Sequence, residues 1–269
     1  MKLAFSTLGC PDWTWQEITS VAKDLGYDGI EIRGIGRETF MPDAKIFQPE
    51  HIEETKARLA HLGLAITCLT SAVRLNERFM IEQHIEDGKE YIDVAEQMGI
   101  PYVRILADAA PEPAGDLNID EIADSLKTLA VYAEKKGVIL LVETNGFFAK
   151  TQHMLELLEK VSSPAVKVLW DVHHPYRFYH EPVAETYAAL KPYIQYLHIK
   201  DSSVDANGKV QYQMMGYGDV PIKEVVELLK ADHFEGYICL EWLKRWCHHL
   251  EAPSLIFPQY ISYMKKIIK

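Results

Sequence analysis

Gly137-Val138-Ile139-Leu140-Leu141-Val142-Glu143 decides the fold: a glycine of the kind found just past a helix, five aliphatic residues in a row, and a carboxylate where the run stops. The residues before it, Ile119 to Lys135, carry apolar side chains at helical spacing. Helix, stop and strand together make half of a repeating unit, and the unit recurs in both directions along the chain. Strands are predicted at Leu3–Thr7, Gly29–Arg33, Leu64–Leu69, Tyr102–Leu106, Val138–Glu143, Val166–Asp171, Ile194–His198 and Tyr237–Glu241. Between and after them the periodicity predicts helices near Thr14–Leu25, Glu50–His61, Asn76–Met98, Ile119–Lys135, Thr151–Val161, Val183–Leu190, Ile222–Lys230 and Ser254–Ile268.

Strict βα alternation implies a parallel sheet, because each helix returns the chain to start the next strand in the same direction. Eight such units close most naturally into a (β/α)8 TIM barrel. An open doubly wound sheet would more often carry a glycine fingerprint after its first strand, and Ser6-Thr7-Leu8-Gly9-Cys10-Pro11 offers a single glycine there. With no linker-like break in composition, residues 1–269 read as one barrel domain.

Composition narrows the function classes. Lys and Arg number 28 against 39 Asp and Glu, for a net charge of -11, and no basic stretch interrupts the acidic balance. The electrostatic footprint of a nucleic-acid or anionic-membrane binder is therefore missing, and a small neutral or weakly anionic molecule is the expected partner. The opening Met1-Lys2-Leu3-Ala4-Phe5 turns polar at once, leaving no room for a signal-peptide core, so the expected compartment is the cytoplasm. Cys10, Cys68, Cys239 and Cys247 show no metal or redox spacing and are expected to be reduced. Oligomeric state stays open, with a homo-oligomer compatible with everything above.

Four strands end on a residue able to bind metal: Glu143, Asp171, His198 and Glu241. The spacings are 28, 27 and 43 residues, about one βα unit each with a long loop before the last. The C-terminal edge of a parallel barrel is where active sites form. Alternation along the strands puts Leu141 beneath Glu143 and Cys239 beneath Glu241 on the inward face. One carboxylate after a strand is commonly only the cap of the next helix. Three at one barrel mouth repel one another unless neutralised, which points to one divalent ion, and the oxygen-rich set suits Mn²⁺, Mg²⁺, Co²⁺ or Zn²⁺.

At these residues the chain resembles the xylose isomerase-like barrel superfamily, in particular its sugar-phosphate isomerase/epimerase group. The resemblance spans essentially the whole length. It rests on Val142-Glu143-Thr144-Asn145, Trp170-Asp171-Val172-His173-His174, Leu197-His198-Ile199-Lys200-Asp201, Gly216-Tyr217-Gly218-Asp219 and Leu240-Glu241, in that order. It implies a metal held by Glu143, Asp171, His198 and Glu241, with His174 directed at substrate. It further implies that one metal-bound glutamate removes a proton α to a carbonyl and the other returns one, giving isomerisation or epimerisation of a small sugar or hydroxyketone through an enediolate. Two departures stand out. The arginine that ketose 3-epimerases carry past the seventh-strand histidine is absent around Val204, and the third and fourth strands end without the extra histidines of the three-metal endonuclease branch.

Other residues admit two readings. Lys200 either meets an enediolate or phosphate or lies in a solvated loop pair, and Arg33 reaches a substrate oxygen or pairs with a neighbouring acid. Gly216 and Gly218 could present N–H groups to a phosphate, although a simple turn is the more ordinary role. Two further function classes are kept beside the isomerase: a dehydratase of a polyol-derived ketone such as an inosose, and a non-catalytic sugar-binding or partner-binding barrel.

Overall fold

The computed structural model describes residues 1–269. Seven strands come first: β1 (Lys2–Ser6), β2 (Gly29–Ile32), β3 (Ala65–Arg74), β4 (Tyr102–Leu106), β5 (Ile139–Glu143), β6 (Val166–Asp171) and β7 (Ile194–Ile199). A hairpin of β8 (Asp201–Val204) and β9 (Val210–Gln213) follows, and β10 (Tyr237–Leu240) is last. The strands β1 to β7 and β10 close into one barrel, with β10 between β7 and β1 and every neighbouring pair parallel. The helices are α1 (Trp15–Leu25), α2 (Ile52–Leu62), α3 (Ile81–Met98), α4 (Ile119–Lys136), α5 (Thr151–Val161), α6 (His173–Tyr179), α7 (Val183–Leu190), α8 (Ile222–Ala231) and α9 (Pro253–Ile268). The fold is a (β/α)8 TIM barrel.

Local chemistry sets the element ends. Thr14 and Glu17 form a reciprocal capping box at the start of α1. Gly137 ends α4 at φ 67°, the left-handed conformation that costs glycine nothing.

The core has two layers. A large cluster fills the space between strands and helices, while Ala4, Cys68, Leu141, Leu169, Tyr196 and Cys239, from six different strands, plug the barrel interior. The Tyr196 hydroxyl is tied to Thr67 Oγ1 at 2.7 Å, which satisfies its one polar atom in that plug. Two positions beyond Leu141, Leu169, Tyr196 and Cys239 stand Glu143, Asp171, His198 and Glu241. Strand alternation thus raises these four side chains directly above an apolar floor.

The structure departs from the sequence reading in three places. The third strand runs on to Arg74, and α3 begins at Ile81 rather than near Asn76. The intervening residues are held elsewhere: Leu75 N–H donates to Leu106 O, and Asn76 bonds Asp108 Oδ1 and Ala109 N–H. The long seventh loop contains the β8–β9 hairpin, turned at Asn207-Gly208 with Gly208 at φ 79°. A short extra helix, α6, follows β6. All four cysteines are free, as expected. No helix is long and apolar enough to cross a membrane.

Candidate metal centre and active site

Glu143, Asp171, His198 and Glu241 converge. Each can place one ligand atom within 4.8 Å of the others, and all four residues are buried. Sheet register explains part of this, since Asp171 pairs directly with His198, and His198 with Cys239, two positions below Glu241. Thr144 locks the first edge: its Oγ1 accepts from Asp171 N–H at 2.8 Å and donates to Asp171 O at 3.0 Å.

His198 is held from both sides. Its Nε2 lies 2.7 Å from Glu31 Oε2, and its Nδ1 lies 3.2 Å from Glu143 Oε1 and 3.5 Å from Glu241 Oε1. Burial by itself lowers the imidazole pKa, but Glu31, Glu241 and Glu143 outweigh it and hold the ring well above the ordinary histidine value. Glu31 is fully buried in the middle of β2. A carboxylate on the second nitrogen is the usual way a ligating imidazole has its tautomer and orientation set.

Each glutamate has its own cation. Arg104 Nε lies 3.2 Å from Glu143 Oε2, an ion pair not aligned well enough to be a hydrogen bond. Burial would raise Glu143, and Arg104 and then His198 overcome it, keeping the carboxyl well below the usual range. Lys200 Nζ donates to Glu241 Oε2 at 2.6 Å and also contacts Asp171 Oδ2. Burial opposes the charge on both partners of the Lys200–Glu241 pair. Coulombic attraction prevails, so Lys200 is raised and Glu241 lowered. Lys200 is fully buried inside the cluster, so the solvated loop pair is not its setting.

Asp171 serves two purposes. Its Oδ1 accepts from the backbone N–H groups of His173 at 2.9 Å and His174 at 3.3 Å, so it caps the entrance to α6 while Oδ2 faces the cluster. His174 Nδ1 donates to Thr144 O at 3.0 Å, which leaves Nε2 as an acceptor in the neutral ring, and burial lowers its pKa. His173 points elsewhere, with Nε2 3.0 Å from Ser202 Oγ.

Arg33 makes no ion pair with an acid. Its guanidinium lies 5.5 Å from the centre of the Trp246 ring and donates weakly to Thr39 O at 3.4 Å. Gly216 and Gly218 take the role of a turn: their N–H groups donate to Asp201 Oδ2 at 2.8 and 3.0 Å. Cys247, His248 and His249 lie in the loop after β10 and join none of the groups of converging ligand atoms, with Lys244 bonded to the His248 carbonyl.

Charge counting tests the cluster against a metal. Four buried carboxylates, Glu31, Glu143, Asp171 and Glu241, face two fixed cations, Arg104 and Lys200. Two negative charges remain, which matches one divalent cation on a neutral His198. A proton on His198 covers only one of them. Oxygen donors with one imidazole also suit such an ion. The residues fit.

Glu31 and Arg104 were missed in the sequence. Each is a charged residue inside an apolar strand, Gly29-Ile30-Glu31-Ile32 and Tyr102-Val103-Arg104-Ile105-Leu106. A charge at such a position needs a buried partner, and that is the signal that could have found them.

A curated relative, fructoselysine 3-epimerase of Shigella flexneri, is 28% identical over 281 residues, covering 100% of this chain and 98% of its own. A probable 3-DHS dehydratase of Bacillus anthracis superposes with a TM-score of 0.80 at 18% identity, covering 98% of this chain and 99% of the other. A xylose isomerase-like TIM barrel protein of Mycobacterium smegmatis in complex with magnesium gives 0.75 at 20% identity, over 99% and 96% of the two chains. A family model matches residues 20–267, and on that match the chain belongs to the xylose isomerase-like TIM barrel family.

Proposed function

We propose that the protein is a metal-dependent isomerase or epimerase of a small sugar or hydroxyketone, moving a proton between Glu143 and Glu241 through an enediolate. The carrying observation is that these two glutamates flank His198 at 3.2 and 3.5 Å, each kept ionised by a separate cation in a buried cluster. The epimerase relative supports the reaction class, and the magnesium-bound barrel of similar fold supports the cofactor.

Glu143, Asp171, His198 and Glu241 would hold one divalent ion, which polarises the substrate carbonyl and its neighbouring hydroxyl when bound. The chain's own groups do the rest. One glutamate accepts the proton α to the carbonyl, and the electron pair left behind becomes the C=C bond as negative charge moves to oxygen. The other glutamate, Glu241 in one direction, relays to the opposite face a proton drawn from the Lys200 ammonium beside it, and the proton taken up by the first restores that charge before the next turnover. Lys200, 2.6 Å from Glu241 Oε2, holds a proton beside that carboxylate. Glu31 positions His198 from behind. His174 Nε2 accepts a hydrogen bond from a substrate hydroxyl, and Arg33 contacts the substrate at the rim. Metal identity is a matter for assay, with Mn²⁺, Mg²⁺, Co²⁺ and Zn²⁺ the candidates.

The test is incorporation of solvent deuterium into recovered substrate, over ketoses, inososes and hydroxypyruvate, by metal-loaded enzyme. Glu143→Gln and Glu241→Gln should each lower kcat by on the order of 10²-fold or more while KM changes little, since an amide keeps the shape but accepts no proton. Parent-rate exchange in either metal-loaded variant would remove that residue from proton transfer. Lys200 also stands where a departing hydroxyl could take its proton, so loss of water from product would select the dehydratase reading.

A further inference from the structure

The barrel mouth is electrically divided. In circuit order, the adjacent strands β5, β6, β7 and β10 carry Glu143, Asp171, His198 and Lys200, and Glu241. The facing arc carries guanidinium groups, Arg104 on β4 and Arg33 just past β2, the strand diametrically opposite β6, and its one carboxylate of the cluster, Glu31 on β2, is taken up by His198. Arg245, from the loop after β10, joins Arg33 across Gly34, packing so closely that a Cβ on Gly34 would come 3.0 Å from Arg245 Nη2.

Arg104 is paired with Glu143, and the other two cations are not consumed by the fold. Arg33 and Arg245 form no ion pair in a chain with 39 acidic residues. Arg33 spends one N–H on Thr39 O at 3.4 Å, and Arg245 spends one on Gly36 O at 3.0 Å. Arg245 Nε and Nη2 and Arg104 Nη1 are buried without an acceptor. Burial is the main reason the Arg33 pKa comes down to about 10, and the neighbouring Arg104 lowers it further. Trp246 lies under the Arg33 guanidinium at 5.5 Å and keeps its planar fork oriented. Arg33 and Arg245, held together in an acidic protein without an ion-pair partner, are costly unless a ligand repays them.

We propose that the substrate carries an anionic group, a carboxylate or a phosphate, and that Arg33 receives it with Arg245 and Trp246 as its support. This rests on the reading that the reacting carbons lie over the acidic arc, and it adds the chemical class of the substrate's other end. Arg104 stands where the two arcs meet and belongs to both.

The experiment measures calorimetric binding of three non-reacting polyols, sorbitol, gluconate and sorbitol 6-phosphate, to the metal-loaded enzyme. At least one anion should bind about 10- to 100-fold more tightly than sorbitol, the usual size of a charge-assisted guanidinium contact. Whichever anion shows the gain distinguishes a carboxylate from a phosphate. In Arg33→Met the preference should vanish, and in Arg33→Lys, which keeps charge but not the fork, it should survive in part. Arg245→Met gives a second, independent loss should Arg33→Met fail to fold. Equal binding of all three polyols, or an unchanged preference in folded Arg33→Met, overturns the proposal. Deuterium exchange with neutral ketoses but no anion preference would sink this inference alone. Anion preference with no exchange on any ketose would sink the proton-transfer reading alone.

Discussion

At His198 the two ring nitrogens have different tasks. Nε2 is fastened to Glu31 at 2.7 Å, and Nδ1 faces Glu143 and Glu241. Glu31→Gln should weaken metal binding about 10- to 100-fold in a chelator competition while leaving the fold intact, as loss of such an orienting carboxylate usually does. Unchanged affinity would make Glu31 a mere buried counter-ion. The raised His198 pKa adds a sign: near pH 7 the metal-free ring is protonated, and a cation on Nδ1 must displace that proton. Calorimetry in buffers of different ionisation enthalpy should report about one proton released per metal bound. None released would contradict the ligand assignment. Between the adjacent histidines, His174→Ala should keep the metal and cut kcat/KM by on the order of 10²-fold, as loss of a substrate contact does. His173→Ala should mainly lower stability, because its ring is buried and bonded to Ser202. The reverse ordering would exchange their roles. The four strand-end ligand candidates were legible because strand alternation and order expose them and His174 only through the family resemblance, whereas the partners of Glu31 and Arg104 depend on contacts 167 and 39 positions away in sequence.

Among elements, the regular ones were readable and the irregular ones were not. Eight strands and eight long helices follow from apolar periodicity, because each packs one face on a shared core. The short α6 has no amphipathic length to reveal it, and its start depends on Asp171, whose carboxylate is equally readable as a metal ligand. The β8–β9 hairpin left a usable trace in Asn207-Gly208 between Ser202-Ser203-Val204 and Val210-Gln211-Tyr212. Its anchor was not visible: Asp201 accepts from the N–H groups of Ser202, Gly216, Gly218 and Val220. Asp201→Ala strands those donors and should destabilise the protein by about 2–4 kcal/mol in denaturant unfolding. Asp205→Ala, in the exposed turn of the hairpin, should cost less than about 1 kcal/mol. Equal effects would show that the Asp201 network does not hold this loop.

For the whole molecule, charge distribution links fold to function. An acidic barrel has concentrated four carboxylates and two fixed cations in one buried cluster at its mouth, leaving two negative charges for one divalent ion. Substrate, metal identity and oligomeric state were not legible, since they depend on the shape and polarity of the finished mouth rather than on any motif. The most direct measurement is elemental analysis of the purified protein after loading and removal of free metal, beside Asp171→Ala and His198→Ala. The expected result is about one divalent ion per chain in the parent and little in either variant, because each loses a donor from a set of four. No stoichiometric metal in the folded parent, or full retention in both variants, would contradict the charge count.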